Sequence, residues 1–159
     1  MISGFSHIGV STHNMQATLH FYCDVLGCRL KADELVKIEG GGTIRQASID
    51  IGREQYLVFM DAKDVESIPE NYDTSINQPL GLPTGMYHYS FNVESLEILE
   101  RLMNRLEEFD VDVSEIINLD YIKSIFFQDP NGLQFEASVK IRDFVSSDIG
   151  RITEAGVAS

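Results

Sequence analysis

One pattern occurs twice in this chain and sharply narrows the folds open to it. Residues 5 to 11, "FSHIGVS", alternate apolar and polar side chains as a strand does. "NMQATLHFYCDVLG", Asn14 to Gly27, then reads as a helix, with Met15, Leu19, Tyr22 and Leu26 on one face and Gly27 as its stop. Three strands are predicted next, over roughly 28–38, 43–51 and 55–61, separated by the turns "EGGGT" and "DIGRE". The order then recurs: a strand over 86–93, a helix from Ser95 to Phe109 with an apolar stripe of Leu96, Leu99, Leu102, Met103 and Leu106, and strands at 111–117, 121–128 and 133–140. The last two are joined by "DPNG", where Pro130 suits the second position of a type I turn and Gly132 the fourth. Two βαβββ units repeat with a period of roughly 80 residues, and sequence-related units of this kind pack about a pseudo-twofold axis.

The chain is 159 residues long and 43% hydrophobic, enough for one well-packed domain. That domain is expected over 1–141, with modules at about 4–61 and 86–140 joined by loop 62–85, and a C-terminal tail at 142–159 that is either disordered or a docking helix. The loop carries three prolines and little periodicity, which suits a lid over a site or the hinge that lets modules exchange between two chains. The triple glycine at 40–42 lacks the following helix and the lysine of a phosphate loop, so it reads as a hairpin turn. Twelve Lys and Arg against 25 Asp and Glu leave a net charge of −13, which argues against nucleic acid and anionic membrane surfaces as partners. No apolar run is long enough to span a bilayer and the N-terminus has no signal-sequence pattern, so a cytoplasmic location is expected. Cys23 and Cys28 are too few for a disulfide framework, and Cys23 reads as a small hydrophobe on the first helix.

Strand parity picks out the candidate chemistry. His7 opposes Ile8 and Val10, His88 opposes Tyr87 and Tyr89, which are expected in the core, and Glu136 opposes Phe135 and Ala137. Each of the three alone is accounted for by a wet sheet face. Taken with the repeat they mean more, because His7 and His88 hold equivalent places in the first strand of each module, and equivalent strands meet near the axis. The position equivalent to Glu136 in the first module falls near Val58. Two imidazoles and one carboxylate with open positions form the facial set suited to Fe(II), with Mn, Ni or Zn also tolerated.

At these residues the chain resembles the vicinal oxygen chelate superfamily, which includes glyoxalase I, the bleomycin and fosfomycin resistance proteins and the extradiol dioxygenases. "SHIGVSTHNMQATLHFYCDVLGCRL" is similar to the family's first strand and helix, and "FFQDPNGLQFEAS" to its final hairpin, which ends in a metal-binding Glu. The resemblance implies an α+β fold in which paired βαβββ modules form an open, curved mixed β-barrel, with His7, His88 and Glu136 as metal ligands. It implies a small-molecule substrate chelated through vicinal oxygens by a metal-dependent, dioxygenase-like oxidoreductase. The alternatives it carries are a metal-free protein that sequesters a drug, and a glyoxalase-like isomerase or lyase. Glyoxalase I places an acid on the fourth strand where this chain has Leu57 or Val58, and the dioxygenases place a Tyr where it has Phe126. His13 and Tyr121 are candidates for a catalytic role at the mouth of the barrel, whereas His20 reads as a surface or packing residue. A homodimer is expected, because modules this small pair to cover their sheet edges.

Overall fold

A computed structural model describes residues 1–153. Its strands form two four-stranded mixed sheets, one per module. The first contains β1 (His7–Ser11), β2 (Arg29–Lys37), β3 (Thr43–Gly52) and β4 (Gln55–Lys63) in the order β1-β4-β3-β2. The second contains β5 (Tyr89–Asn92), β6 (Ile117–Asn118), β7 (Ile122–Gln128) and β8 (Gln134–Lys140) in the order β5-β8-β7-β6. β1 runs parallel to β4 and β5 to β8, while the remaining pairs are antiparallel, so both modules have the same topology. Among the described residues no ladder joins the two sheets into a closed barrel.

Each module's helix crosses between its first two strands. α1 (Met15–Leu19) starts at Asn14, whose side chain accepts the Ala17 N–H at 3.0 Å, and continues into a π-helical turn, His20–Val25. The wider turn, closed by Leu26 N–H to the Phe21 carbonyl, buries Phe21, Tyr22 and Val25 together, a shift from the regular stripe of Leu19, Tyr22 and Leu26. α2 (Leu96–Glu108) follows its expected stripe more closely: Ser95 caps it, Leu99 and Leu106 are fully buried, and Leu102 and Met103 pack beside them.

A single apolar interior serves both modules. The Tyr22 ring lies 4.9 Å from Phe59 and 5.9 Å from Phe135, bringing the first module's helix against the second module's sheet. Phe135 also stacks on Phe91 at 5.0 Å, and as a fully buried ring it contributes roughly 1.5–3 kcal/mol of transfer free energy. Since successive strand residues alternate sides, the faces bearing His7 and Glu136 turn away from this interior. A polar seam also joins the modules: Tyr22 donates to Asp129 Oδ2 at 3.1 Å, and the Asn131 amide donates to the Thr18 hydroxyl at 3.2 Å. Burial of Asp129 raises its carboxyl above the ordinary carboxylate range, and burial likewise raises the Tyr22 phenol.

Several local expectations change in three dimensions. The strand over 86–93 is paired only at Tyr89–Asn92, so Tyr87 is exposed instead of lying in the core. The strand expected at 111–117 reduces to a bridge between Val113 and Phe127 and the two-residue β6, because the Ser114 hydroxyl accepts the Phe126 N–H where a backbone carbonyl would have done so. The glycine run closes the β2–β3 hairpin, and at Gly42 an added Cβ would strike the Asp64 carbonyl. Loop 62–85 is anchored at both ends of its central stretch. The His13 ring meets the Tyr72 carbonyl at 2.7 Å, Thr74 donates to the Asn131 carbonyl, and the Asn77 side chain exchanges two hydrogen bonds with the Tyr87 backbone. The tail folds back as a 3-10 turn, Ser146–Asp148, with Arg142 and Arg151 both pairing to Asp120 and Asp148; residues 154–159 lie outside the described residues.

Candidate functional site

The register places Glu136 where the repeat leads one to look. Ser90 pairs with Glu136 across β5 and β8 as Gly9 pairs with Val58 across β1 and β4, so Val58 is the apolar counterpart of the acid. Glu136 is buried, only 4% exposed, on a face whose neighbours Gln134 and Ser138 are also buried. An isolated carboxylate there would be costly, and two groups offset that cost. The fully buried Ser124 donates its hydroxyl to Oε1, and His88 Nε2 lies 3.2 Å from Oε2.

His88 sits one residue before β5 and is partly exposed. Its Nδ1 is 2.8 Å from the Gly85 carbonyl, which only accepts, so Nδ1 carries hydrogen. In the neutral ring Nε2 then presents a lone pair to a carboxylate oxygen. Two lone pairs facing at that distance repel unless a cation lies between or beside them. That cation is either a proton, giving an imidazolium–carboxylate pair, or a metal ion. A ring that gives its second N–H to a backbone carbonyl is the arrangement metal-ligating histidines adopt, so the pair fits a divalent cation.

The other half-site lies on the first module. His7 is exposed at the head of β1, its Nδ1 2.9 Å from the Ser6 hydroxyl. It opens onto a cavity of about 490 Å³ lined by Gln46, Ser48, Tyr56, Val58 and Met60 from β3 and β4, together with Lys31 of β2. This cavity is lined, among the described residues, by the first module alone. Among the described residues no three His, Cys, Asp or Glu side chains gather as a metal-binding group within one chain. His88 and Glu136 are thus brought together, and His7 is held on a separate face.

The remaining candidates have other surroundings. His13 is engaged with Tyr72, ring to ring at 4.5 Å, at the base of the loop. Tyr121 packs on Phe144 at 4.6 Å and lines a cavity of about 580 Å³ shared with the tail. His20 pairs with Asp24 on the surface. Both thiols are free, and burial pushes Cys28 up to about 11, which leaves it a thiol at neutral pH. Ser124 escapes a reading that looks only for ligands, although its alternation with Ile125 and Phe127 places it on the face of Glu136.

Fold and site together define an α+β protein of paired βαβββ modules, with polar groups on the sheet faces turned away from a common core. The family model described as "Glyoxalase/Bleomycin resistance protein/Dioxygenase superfamily" matches residues 4–137, and the chain belongs to this superfamily. Solved structures agree on the fold. TnmS3, an antibiotic binding protein from Streptomyces sp. CB03234, is 19% identical with a TM-score of 0.61, over 88% of this chain and 98% of that one. The fosfomycin resistance protein FosX from Listeria monocytogenes is 16% identical with a TM-score of 0.62, over 89% and 96%. SMU.1112c is 22% identical with a TM-score of 0.64, over 87% and 99%. Among the described residues no helix is long and apolar enough to cross a membrane.

Proposed function

We propose that this chain is a metal-dependent enzyme working as a homodimer, each site combining His7 of one chain with His88 and Glu136 of another. The observation that carries the reading is the His88–Glu136 pair: a buried carboxylate facing, at 3.2 Å, the nitrogen that the Gly85 contact leaves free. The separation of His7 within one chain argues for a partner. Among the described residues β1 and β5 each end a sheet with one side unpaired, and Phe5, Met86 and Tyr87 stand exposed beside the two histidines. Edge strands flanked by exposed apolar side chains favour burial against another copy.

In such a site Glu136 is held by Ser124 and His88 by Gly85, so two ligands are oriented before any metal arrives. A bound divalent ion, Fe(II) first and Mn, Ni or Zn otherwise, would polarise two neighbouring oxygens of a small molecule and, as Fe(II), support oxidation by O2. The protein's part is to fix the ligands and to seat the substrate against the apolar side chains of Val58 and Met60. The reaction class we favour is dioxygenase-like oxidation. A second reading has its own support. If His88 is an imidazolium the pair closes on itself, leaving the cavity to bind a small molecule without metal, a binding role in keeping with the likeness to TnmS3, an antibiotic binding protein.

Metal analysis of chain purified without a chelating tag decides between them. About one Fe, Mn, Ni or Zn per chain is expected, lost in His7→Ala, His88→Ala and Glu136→Ala alike. A chain that remains empty on reconstitution with each metal overturns the enzyme reading.

A further inference from the structure

The cavity beside His7 has a charge character opposite to that of the chain as a whole. Among the described residues its lining contains no carboxylate, although the chain carries 25 acidic residues, and it contains one permanent cation, Lys31. Lys31 arrives there through a break in strand register. Leu30 pairs with Ile49 and Ala32 with Ser48, so two steps on β2 span one step on β3 and Lys31 is the extra residue. The bulge interrupts the alternation of faces, since Leu30 pairs with the core residue Ile49 and Ala32 with Ser48, so the consecutive residues Lys31 and Ala32 both line the cavity.

The structural role open to Lys31 is to balance the buried Asp50, and it accounts for only part of the arrangement. Lys31 Nζ and an Arg29 guanidinium nitrogen each stand 3.7 Å from Asp50 Oδ2, beyond hydrogen-bond reach. Among the described residues Lys31 makes no side-chain hydrogen bond, and about half of its side chain, 46%, is exposed. Gln46, Ser48 and the Tyr56 hydroxyl line the same cavity, also without side-chain partners among the described residues. An ammonium with spare donors, three unpartnered polar groups and an apolar wall of Val58 and Met60 form a pocket for a small molecule with one anionic end.

We infer that Lys31 is a specificity-determining residue that binds a carboxylate or phosphonate group of the ligand. The assignment rests on the reading above that this cavity is half of the functional site. The net charge of −13 does not oppose it, since at physiological ionic strength charges beyond about 8 Å are largely screened and the nearest group dominates.

The test uses the full chain freed of metal by chelation, titrated with benzoate, phenylphosphonate, benzamide and benzylamine and followed through the backbone amides of Gln46, Ser48 and Val58. Both anions should bind in preference to the neutral and cationic probes. Lys31→Met should weaken the anions about ten- to hundredfold, the worth of one charge-assisted hydrogen bond, while Lys31→Arg stays within about threefold. Preference for benzoate alone or phenylphosphonate alone identifies which oxyanion is read. Equal binding of benzamide, an unchanged Lys31→Met, or no anion binding overturns the assignment. Metal content of the same variants keeps the two readings apart. A chain that takes up no metal yet binds benzoate through Lys31 overturns only the metal site, and one that loads metal but is indifferent to Lys31→Met overturns only the anion site.

Discussion

Mixing two damaged chains should rebuild intact sites. A His7→Ala chain retains the half-site of His88, Glu136 and Ser124, and a Glu136→Ala chain retains the half-site of His7 and its cavity. Neither homodimer can assemble three ligands. In a mixed dimer, one site combines both intact halves and the other combines both damaged ones. Random re-pairing makes about half of the dimers mixed, so about a quarter of the wild-type metal content should return. The assay is subunit exchange followed by metal loading and elemental analysis, with exchange verified by native mass spectrometry. Pairing His88→Ala with Glu136→Ala is the control, because both lesions lie in the same half-site and every site of the mixed dimer stays damaged. The reasoning fails if the first mixture exchanges chains yet regains no metal, or if the control regains as much.

Other consequences follow from the same geometry. Ser124→Ala removes the hydroxyl that orients Glu136, and should weaken metal binding by about ten- to hundredfold in a competition titration; unchanged affinity would mean that the hydroxyl only fills space. Tyr22→Phe deletes a buried hydrogen bond to a carboxylate between modules, and should cost about 1.5–3 kcal/mol by urea unfolding, with a loss under about 0.5 kcal/mol counting against the seam. Burial holds the Asp129 carboxyl above its ordinary 3.8, so its favourable contribution is complete below that value and is lost as pH rises through the folded value. The stability of wild type relative to Asp129→Asn should therefore shrink from acid toward neutral pH, and a difference that widens contradicts the assigned direction. The tail is held by Arg142 and Arg151 on Asp120 and Asp148, pairs that range from exposed to half-buried. At about 1 M salt, where screening acts within about 3 Å, trypsin should cut after Arg142 faster than at low salt, and an equal rate would show that the ion pairs do not hold it.

How much of this was legible in the sequence depends on the range of the interaction involved. Alternation along a strand and the stripe along a helix are set by backbone geometry within a few residues. The residues of "FFQDPNGLQFEAS" therefore suffice to put Glu136 opposite Phe135 and Ala137, and the repeat suffices to make Val58 its counterpart. The same local logic located α2 and the β7–β8 turn, and with them the superfamily. It misjudged Tyr87, which keeps its parity but lies outside the paired segment, and the strand at 111–117, where a serine side chain replaced a ladder contact.

What the tertiary structure alone decided concerns contacts between distant segments. That Glu136 is buried rather than wet, that Gly85 fixes the hydrogen on His88, and that His7 faces another cavity depend on how strands far apart in the chain are packed. The bulge that brings Lys31 into that cavity depends on a one-residue shift between β2 and β3, and the residues of β2 alone do not specify it. The sequence by itself determined two βαβββ modules and the faces on which His7, His88 and Glu136 lie. Packing decided that the modules share their apolar sides, because burying Tyr22 against Phe59 and Phe135 takes three large rings fully out of water, and this turns the two half-sites of one chain apart.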